Sequence, residues 1–127
     1  MAFQYGATLR NNQVGQIQTT VGSSGVLKIF SGAEPANCAA ANPSGLLCTI
    51  TLPSTFLTSS GGVTTIAGTW SASASGTGTA ASFRIYDGSS VCHVQGNVTS
   101  DLVLNNTSIT SGQTVTVTSF TVTQGNQ

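Results

Sequence analysis

The chain has 127 residues and a mass of 12.8 kDa, which is enough for one domain. Only 5% of the residues are charged, well below the usual quarter, and the formal net charge is zero. The sequence therefore has no basic patch for phosphates and no run of about 20 apolar residues for a membrane span. We expect neither nucleic acid nor a membrane among its partners.

Uncharged polar residues take the place of the missing charges. Ser, Thr, Gly, Asn and Gln make up 68 of the 127 residues, while Leu, Ile, Val and Phe supply 30 residues for a core. Because a protein without net charge lacks long-range repulsion between its copies, this composition favours association into an assembly. The six charged residues are Arg10, Lys28, Glu34, Arg84, Asp87 and Asp101.

The cysteine pattern does not indicate a disulfide framework. The first ten residues lack a basic segment followed by an apolar run, so we expect no secretory signal and synthesis in a cytoplasm, where disulfides are disfavoured. Cys48 and Cys92 alternate in phase with apolar strand residues, which predicts that both are reduced and buried. A bridge between Cys38 and Cys48 is the alternative.

One helix is expected, over residues 8–21, with Gly22 as its stop. Its apolar residues fall on one broad side at 100° per residue: Leu9, Val14, Ile17 and Val21. Residues 1–25 are thus predicted to form an N-terminal arm and helix, and residues 26–127 a β-sandwich domain.

The first strands alternate clearly between two faces. Residues 26–31 carry apolar side chains on both faces, with Leu27 and Ile29 opposite Lys28 and Phe30, which predicts a central or doubly covered strand. Residues 32–45 contain two prolines and small residues and are expected to form a loop. In residues 46–52, the alternation predicts one shared face for Leu46, Cys48, Ile50 and Leu52, with Leu47 on the other.

Later strands follow the same period. Trp70 alternates with serines and is expected in the core together with Phe83. Phe83 and Ile85 should lie opposite Arg84 and Tyr86, and Asp87-Gly88 is a strong turn signal. In residues 90–98 the alternation places four residues on one face: Cys92, Val94, Gly96 and Val98. This arrangement turns His93 and Gln95 outward.

The last strand, residues 113–124, contains a change of phase. Val115 and Val117 are odd-numbered, whereas Phe120 and Val122 are even-numbered, so a β-bulge is expected at Thr118–Ser119. Seven or eight short strands with turns every 8 to 12 residues predict a mainly β protein, a single-domain antiparallel β-sandwich of jelly-roll-like type.

No catalytic or metal site is indicated. The three acidic residues show no paired pattern, and no Gly-x-Ser-x-Gly motif accompanies His93, so we expect no enzyme, no cofactor and no metal. His93 is interpreted as a surface histidine. Tyr5, Trp70 and Tyr86 are the aromatic side chains that a sugar-binding site would use, but an aromatic residue on a sandwich strand is more often part of the core.

Three segments in order carry a family resemblance: VLKIFSGAEPAN (26–37), GLLCTITLPSTF (45–56) and SGTGTAASFRIYDG (75–88). With the Thr-Val-rich last strand, the chain resembles small capsid cement, or decoration, proteins of tailed bacteriophages from about Arg10 to Gly125. The resemblance implies a β-sandwich that binds the outside of the phage head and stabilises adjacent major capsid subunits. The three cysteines of this chain, Cys38, Cys48 and Cys92, do not belong to the family pattern.

The resemblance implies assembly in the host cytoplasm, a place on the virion surface, the major capsid protein as partner, and a homo-oligomer, dimer or trimer. A receptor- or carbohydrate-binding β-sandwich of a phage tail or fibre is the alternative function. An N-terminal arm with aromatic side chains is suited to insertion between neighbouring subunits. The candidate interface residues are Phe3, Tyr5, Arg10, Lys28 and Phe30.

Overall fold

The computed structural model describes residues 6–60, 63–99 and 102–123, which form a four-stranded and a five-stranded antiparallel sheet around a shared hydrophobic core, together with a two-stranded sheet. This arrangement confirms the predicted mainly β sandwich. One helix, α1 (Ala7–Val21), precedes the strands. The strands are β1 (Val26–Phe30), β2 (Leu46–Thr51), β3 (Leu57–Ser60), β4 (Val63–Ile66), β5 (Ser71–Ser73), β6 (Gly78–Thr79), β7 (Ser82–Tyr86), β8 (Cys92–Asn97), β9 (Leu102–Leu104), β10 (Ser108–Ile109) and β11 (Thr114–Thr123). The strand number exceeds the expected seven or eight partly because β6 and β10 are two-residue strands that pair with each other.

The first sheet has the order β2-β1-β7-β8, so β1 is a central strand as predicted. Leu27 and Ile29 of β1 are fully buried against the core, and Phe30 on the opposite face is only 3% exposed. In β7, Phe83 and Ile85 face the core, whereas Arg84 and Tyr86 lie on the outer face, and all are buried. Both faces of this sheet are therefore covered.

A bulge in β2 corrects the predicted alternation. The pairing of β1 with β2 shifts between Ile29 and Phe30, so that Phe30 lies opposite Leu46 while Ile29 lies opposite Cys48. Leu47 has no direct partner in this register; it is 2% exposed, whereas Leu46 is 41% exposed. The prediction that Leu46 shares the buried face was therefore wrong. An extra residue reverses the alternation beyond it.

The second sheet is organised around β11, the longest strand. β4 and β5 pair with the two ends of β11, β9 pairs with its middle, and β3 pairs with β4. The register with β9 shifts between Val117 and Ser119, and Thr118 and Ser119 are exposed between the buried Val117 and Phe120. The bulge predicted from the change of phase is confirmed.

Helix α1 begins one residue earlier than expected and ends at the predicted stop. Gly22 has a φ of 81°, and its N–H donates to Gln18 O at 3.0 Å. This positive φ suits glycine, which carries no Cβ. Val14 and Val21 are buried, whereas Leu9, in the first turn of the helix, is 48% exposed. The helix contacts β3, β4 and β8.

Aromatic rings connect the two sheets through the middle of the core. The ring of Phe120 lies 5.7 Å from that of Trp70 and 5.6 Å from that of Phe83, while Phe56 contacts Trp70 at 5.8 Å. Trp70 is 1% exposed, and its Nε1–H donates to Ala67 O at 3.3 Å. The predicted burial of Trp70 and Phe83 is confirmed. They are not on neighbouring strands, because Trp70 directly precedes β5 of the five-stranded sheet and Phe83 lies on β7 of the four-stranded sheet.

Replacing Trp70 by Ala should lower the free energy of unfolding by about 3–5 kcal/mol, because it leaves a cavity where three rings meet. Chemical denaturation measures this change. The matched control is Thr121→Ala on an exposed position of β11, which should change stability by no more than about 0.5 kcal/mol. Equal midpoints for the two variants would contradict the central place of Trp70.

Candidate functional site

The loop of residues 32–45, hereafter the 32–45 loop, folds back over the outer face of the first sheet. Two backbone bonds close its base: Ser31 N–H donates to Gly45 O, and Gly32 N–H donates to Ser44 O, both at 2.9 Å. Gly45 has a φ of 73°, and a Cβ there would lie 1.9 Å from Ser31 Oγ. The base of the loop therefore requires glycine at this position.

Arg84 on β7 binds the 32–45 loop through hydrogen bonds. It is 2% exposed, and its guanidinium lies between the outer face of β7 and the loop. Nη1 donates to Asn42 Oδ1 at 3.0 Å, and Nη2 donates to the carbonyl oxygens of Asn37 and Ala40 at 3.0 and 3.1 Å. Nε donates to Gln95 Oε1 at 3.3 Å. The charged group thus binds three loop oxygens and one from the neighbouring strand.

Burying this charge is tolerable because four of its five N–H donors have acceptors. A buried ion without partners is very costly, and Arg has five N–H groups in a fixed fork. Four of them have neutral oxygen acceptors, none of which is a carboxylate. Arg84, at 2% exposure, is therefore not available for ion pairs with another molecule. The structure uses Arg84 to dock its own loop.

Other outer-face side chains extend the same contact. The Tyr86 hydroxyl donates to Asn42 Oδ1, and Gln95 Nε2 donates to Pro35 O at 2.7 Å. Lys28 is half-buried, with its Nζ 5.1 Å from the centre of the Tyr86 ring, which is a cation–π geometry. The outer face therefore combines neutral hydrogen bonds with one cation held against an aromatic ring.

A disulfide between Cys38 and Cys92 ties the loop to β8. The two Cα atoms are 5.4 Å apart, within the usual range, although the residues are 54 positions apart in sequence. The prediction that Cys92 is reduced and buried was wrong, as was the alternative bridge between Cys38 and Cys48. A shift of register between β7 and β8 pairs Cys92 with Tyr86 on the outer face, beside the loop. Cys48 is free and buried as predicted, and burial raises the pKa of its thiol.

The turn after β7 positions an aspartate–histidine pair. Asp87 Oδ1 accepts the N–H groups of Ser89 and Val91 at 2.8 and 3.0 Å, which confirms its expected role in the turn. Its Oδ2 lies 2.9 Å from His93 Nε2. The hydrogen bond from His93, and then the bond from Val91, lower the pKa of Asp87 below its ordinary value. His93 is also the residue between the paired Cys92 and Val94, and it lines a shallow groove beside α1.

The His93–Asp87 pair lacks the other parts of a hydrolytic site. No hydrogen bond joins His93 to a serine hydroxyl in the described part of the chain. A nucleophilic mechanism needs a base within hydrogen-bond reach of its nucleophile. Within residues 6–60, 63–99 and 102–123, no three His, Cys, Asp or Glu side chains cluster as metal ligands do. The observed role of the pair is structural: Asp87 accepts hydrogen bonds from the backbone of the turn, and His93 binds Asp87.

The candidate interface residues have different environments. Phe3 and Tyr5 lie outside the described residues. Arg10 is half-buried on α1, and Lys28 is half-buried on the outer face of the first sheet. Phe30 is 3% exposed, so its ring cannot be offered to a partner, and its selection as an interface residue was wrong. Sequence reasoning missed Asn42, whose isolated place in a loop gave no signal.

Neither a protein-family model, nor a curated protein, nor a solved structure matches this chain. No helix among the described residues is long and apolar enough to cross a membrane. A role for the protein must therefore be argued from its own surface.

Replacing Arg84 by Met should release the 32–45 loop, because Met fills much of the volume but donates no hydrogen bond. We expect the free energy of unfolding to fall by about 3 kcal/mol, since buried acceptors lose charged donors. Elastase, which cuts after small residues, should cleave the Ala-rich loop faster in this variant, with the disulfide intact or reduced. Lys28→Met on the same face is the control and should not speed cleavage. Unchanged loop cleavage in Arg84→Met would contradict this role.

Asp87 should make stability depend on pH in the acid range. Its pKa is lowered in the folded protein, so its contribution is present above the ordinary value of about 3.9 and is lost as the pH falls through the folded value. Asp87→Asn keeps an acceptor for the turn but has no charge. The wild-type protein should therefore be more stable than this variant near neutral pH, and this difference in stability should disappear between about pH 5 and pH 2. Thermal melts measure the difference, with Glu34→Gln as an exposed control. An advantage that does not change with pH would contradict this assignment.

Proposed function

We propose that this protein is a structural capsid cement protein of a tailed phage, which binds the outside of the head and stabilises adjacent major capsid subunits. The observation that carries the proposal is the scarcity of charge, with six charged residues on a chain whose accessible surface is 6305 Å². Arg84 is buried under the loop, Asp87 is paired with His93, and Lys28 lies against Tyr86, whereas Glu34 is exposed. Among the described residues, tertiary contacts thus engage several of the few charges that the composition provides.

This surface suits a permanent interface with several neighbouring subunits. Removing charges from water is costly unless each is paired, whereas hydroxyls and amides form hydrogen bonds without that penalty. A cement protein that contacts more than one subunit has to present complementary hydrogen-bond donors and acceptors at each contact. Neutral donors and acceptors make such matching easier than fixed charges do.

The outer face of the second sheet offers one such neutral surface. Thr58 of β3 pairs with Thr65 of β4, which also pairs with Thr121 of β11, so three threonines form a row across the sheet. All three are exposed, as are Ser119 of β11 and its partner Val103 on the neighbouring β9. A row of hydroxyls on a sheet can bind backbone groups of a shell without any ion pair.

The Cys38–Cys92 disulfide is compatible with a virion protein. Disulfides persist in oxidising surroundings and are rare in a reducing cytoplasm. A phage particle is assembled inside the cell and then released into an oxidising medium. The Arg84 contacts hold Cys38 near Cys92, so the bridge can form after the fold is complete.

The alternative of a carbohydrate-binding tail or fibre domain has less support. It requires exposed aromatic rings as a platform for sugars. Trp70 is 1% exposed and Tyr86 is 5% exposed, and the hydroxyl of Tyr86 is bound to Asn42. Tyr5, the third aromatic residue considered for this role, lies outside the described residues.

Binding to capsids should resist salt and respond to denaturant. Because few charges are available, decorated particles should keep this protein in about 1 M NaCl, where the Debye length is near 3 Å. They should release it in urea, which solvates apolar and peptide groups. The measurement is the fraction of the chain that sediments with particles in each series. Release by salt alone at neutral pH would contradict the proposal.

A pair of charge insertions tests the threonine row. Thr65→Lys places a cation at its centre and should lower the fraction of protein bound to particles, since the new charge has no partner in the interface. Thr110→Lys adds the same charge at another exposed position and should bind as wild type does. Equal binding of both variants would exclude the threonine row, and a map of whole virions would show which face meets the shell.

A further inference from the structure

A turn in the 32–45 loop positions Cys38 without using its sulfur atom. Asn37 Oδ1 accepts the N–H groups of Ala39 and Ala40, both at 3.0 Å. An asparagine side chain that bonds to the backbone in this way stabilises a local turn. Arg84 Nη2 donates to the carbonyl oxygens of Asn37 and Ala40, so the guanidinium binds the loop on both sides of the cysteine. The backbone around Cys38 is therefore fixed by hydrogen bonds.

Cys92 is held independently at the start of β8. It lies opposite Tyr86 in the pairing of β7 with β8. His93 Nε2, from the residue after it, lies 2.9 Å from Asp87 Oδ2, and Val91, the residue before it, donates its N–H to Asp87 Oδ1 at 3.0 Å. Both neighbours of this cysteine are thus bound to the turn that follows β7.

These contacts bring the two cysteines within bonding range. The Cα atoms of Cys38 and Cys92 are 5.4 Å apart, a separation that suits a disulfide, although the residues are 54 positions apart in sequence. Closing so long a loop in an unfolded chain costs entropy, whereas the folded chain has already closed it. Cys48 cannot compete for either partner, because its side chain is fully buried in the hydrophobic core.

We propose that the Cys38–Cys92 pair is a redox switch that controls how often the 32–45 loop opens. In the reduced chain, the hydrogen bonds of Arg84 and Asn37 still hold the loop against the sheet, but such local contacts break and form again. In the oxidised chain, the disulfide keeps the middle of the loop at β8 during these fluctuations. Oxidation therefore makes opening rarer without changing the docked position of the loop.

A small disulfide such as oxidised glutathione is the oxidant. The thiolate of one cysteine attacks it, which breaks its S–S bond, forms a mixed disulfide and releases one glutathione thiolate. The thiolate of the other cysteine then attacks the protein sulfur of the mixed disulfide and releases the second glutathione thiolate. Two electrons pass from the cysteines to glutathione, and the two thiol protons pass through water to the released thiolates. Reduction by a dithiol reverses this outcome.

The switch responds when the protein moves from reducing to oxidising surroundings, where disulfides persist. Residues 39–41 of the loop are three alanines, and Ala39 and Ala41 are exposed. An open loop with this sequence is a substrate for proteases that cut after small residues. Formation of the disulfide outside the cell therefore protects the loop from cleavage. The switch is a property of the isolated chain and does not depend on the proposed capsid role.

Limited proteolysis of the purified chain tests the switch. After reduction with a dithiol that is removed before elastase is added, the 32–45 loop should be cut at least about tenfold faster than in the oxidised chain, because opening is more frequent. Both states should have the same far-UV circular dichroism. Cys38→Ser should be cut at the fast rate in both conditions. Cys48→Ala is the control and should keep the response to redox state, since Cys48 lies outside the disulfide.

Reoxidation rates test whether hydrogen bonds position the cysteines. The reduced chain is mixed with oxidised glutathione, and formation of the bridge is followed by the loss of thiols that can be alkylated. Asn37→Ala removes the turn at Cys38 and should slow the reaction at least about threefold, because the effective concentration of one thiol at the other falls. Asn106→Ala is the control. Asn106 Oδ1 accepts Ser108 N–H at 3.0 Å in a similar turn elsewhere, so this variant should react as wild type does.

Four results would overturn the proposal. The first is an oxidised chain in which all three cysteines are alkylated after denaturation. The second is loss of the folded circular dichroism signal on reduction, which would make the disulfide a requirement of the fold. The third is equal cleavage of the loop in both redox states. The fourth is the same reoxidation rate for Asn37→Ala and wild type.

Discussion

The buried guanidinium of Arg84 is the interaction on which the first sheet depends. A charge on the outer face of a central strand has to be either exposed to water or surrounded by acceptors. Here the 32–45 loop supplies three oxygens and Gln95 a fourth, so the loop has to lie where the guanidinium is. That position in turn brings Cys38 to Cys92 and Asn42 to the hydroxyl of Tyr86. The loop thus acts as a second layer without being a sheet.

Features that depend on a local period could be predicted from the sequence. The change of phase between Val117 and Phe120 predicted the bulge in β11, because either half-strand would otherwise turn its apolar side chains to water. Gly22 ended α1 for a similarly local reason. The bulges beside Leu47 and His93 could not be predicted in this way. Their segments alternate without interruption in the sequence, and the shift arises from pairing with distant strands.

The sequence predicted that the protein surface is poor in charge, but it did not predict which residues form the contacts between the loop and the sheet. The scarcity of charge is a property of composition, and the structure makes it more pronounced. Which charges remain available depends on tertiary contacts, so the burial of Arg84 under the 32–45 loop could not be predicted from the local pattern. Cys92 was assigned to the wrong face for the same reason, because its register with Tyr86 is set by β7 and not by its neighbours in sequence.

A chain with so few charges has to protect its sheet edges without them. Charged side chains are a common protection against edge-to-edge association, and this sequence has only six charged residues to distribute. The structure covers β2 with the backbone of residues 75–76 and the start of β3 with Gln18. At the end of β8, Val98 forms a bridge with Leu102, and Thr99 N–H donates to Leu102 O at 2.6 Å. The low charge that suits a neutral interface with a shell is therefore matched within the fold, where neutral backbone and amide groups take the place that charged side chains have at other sheet edges.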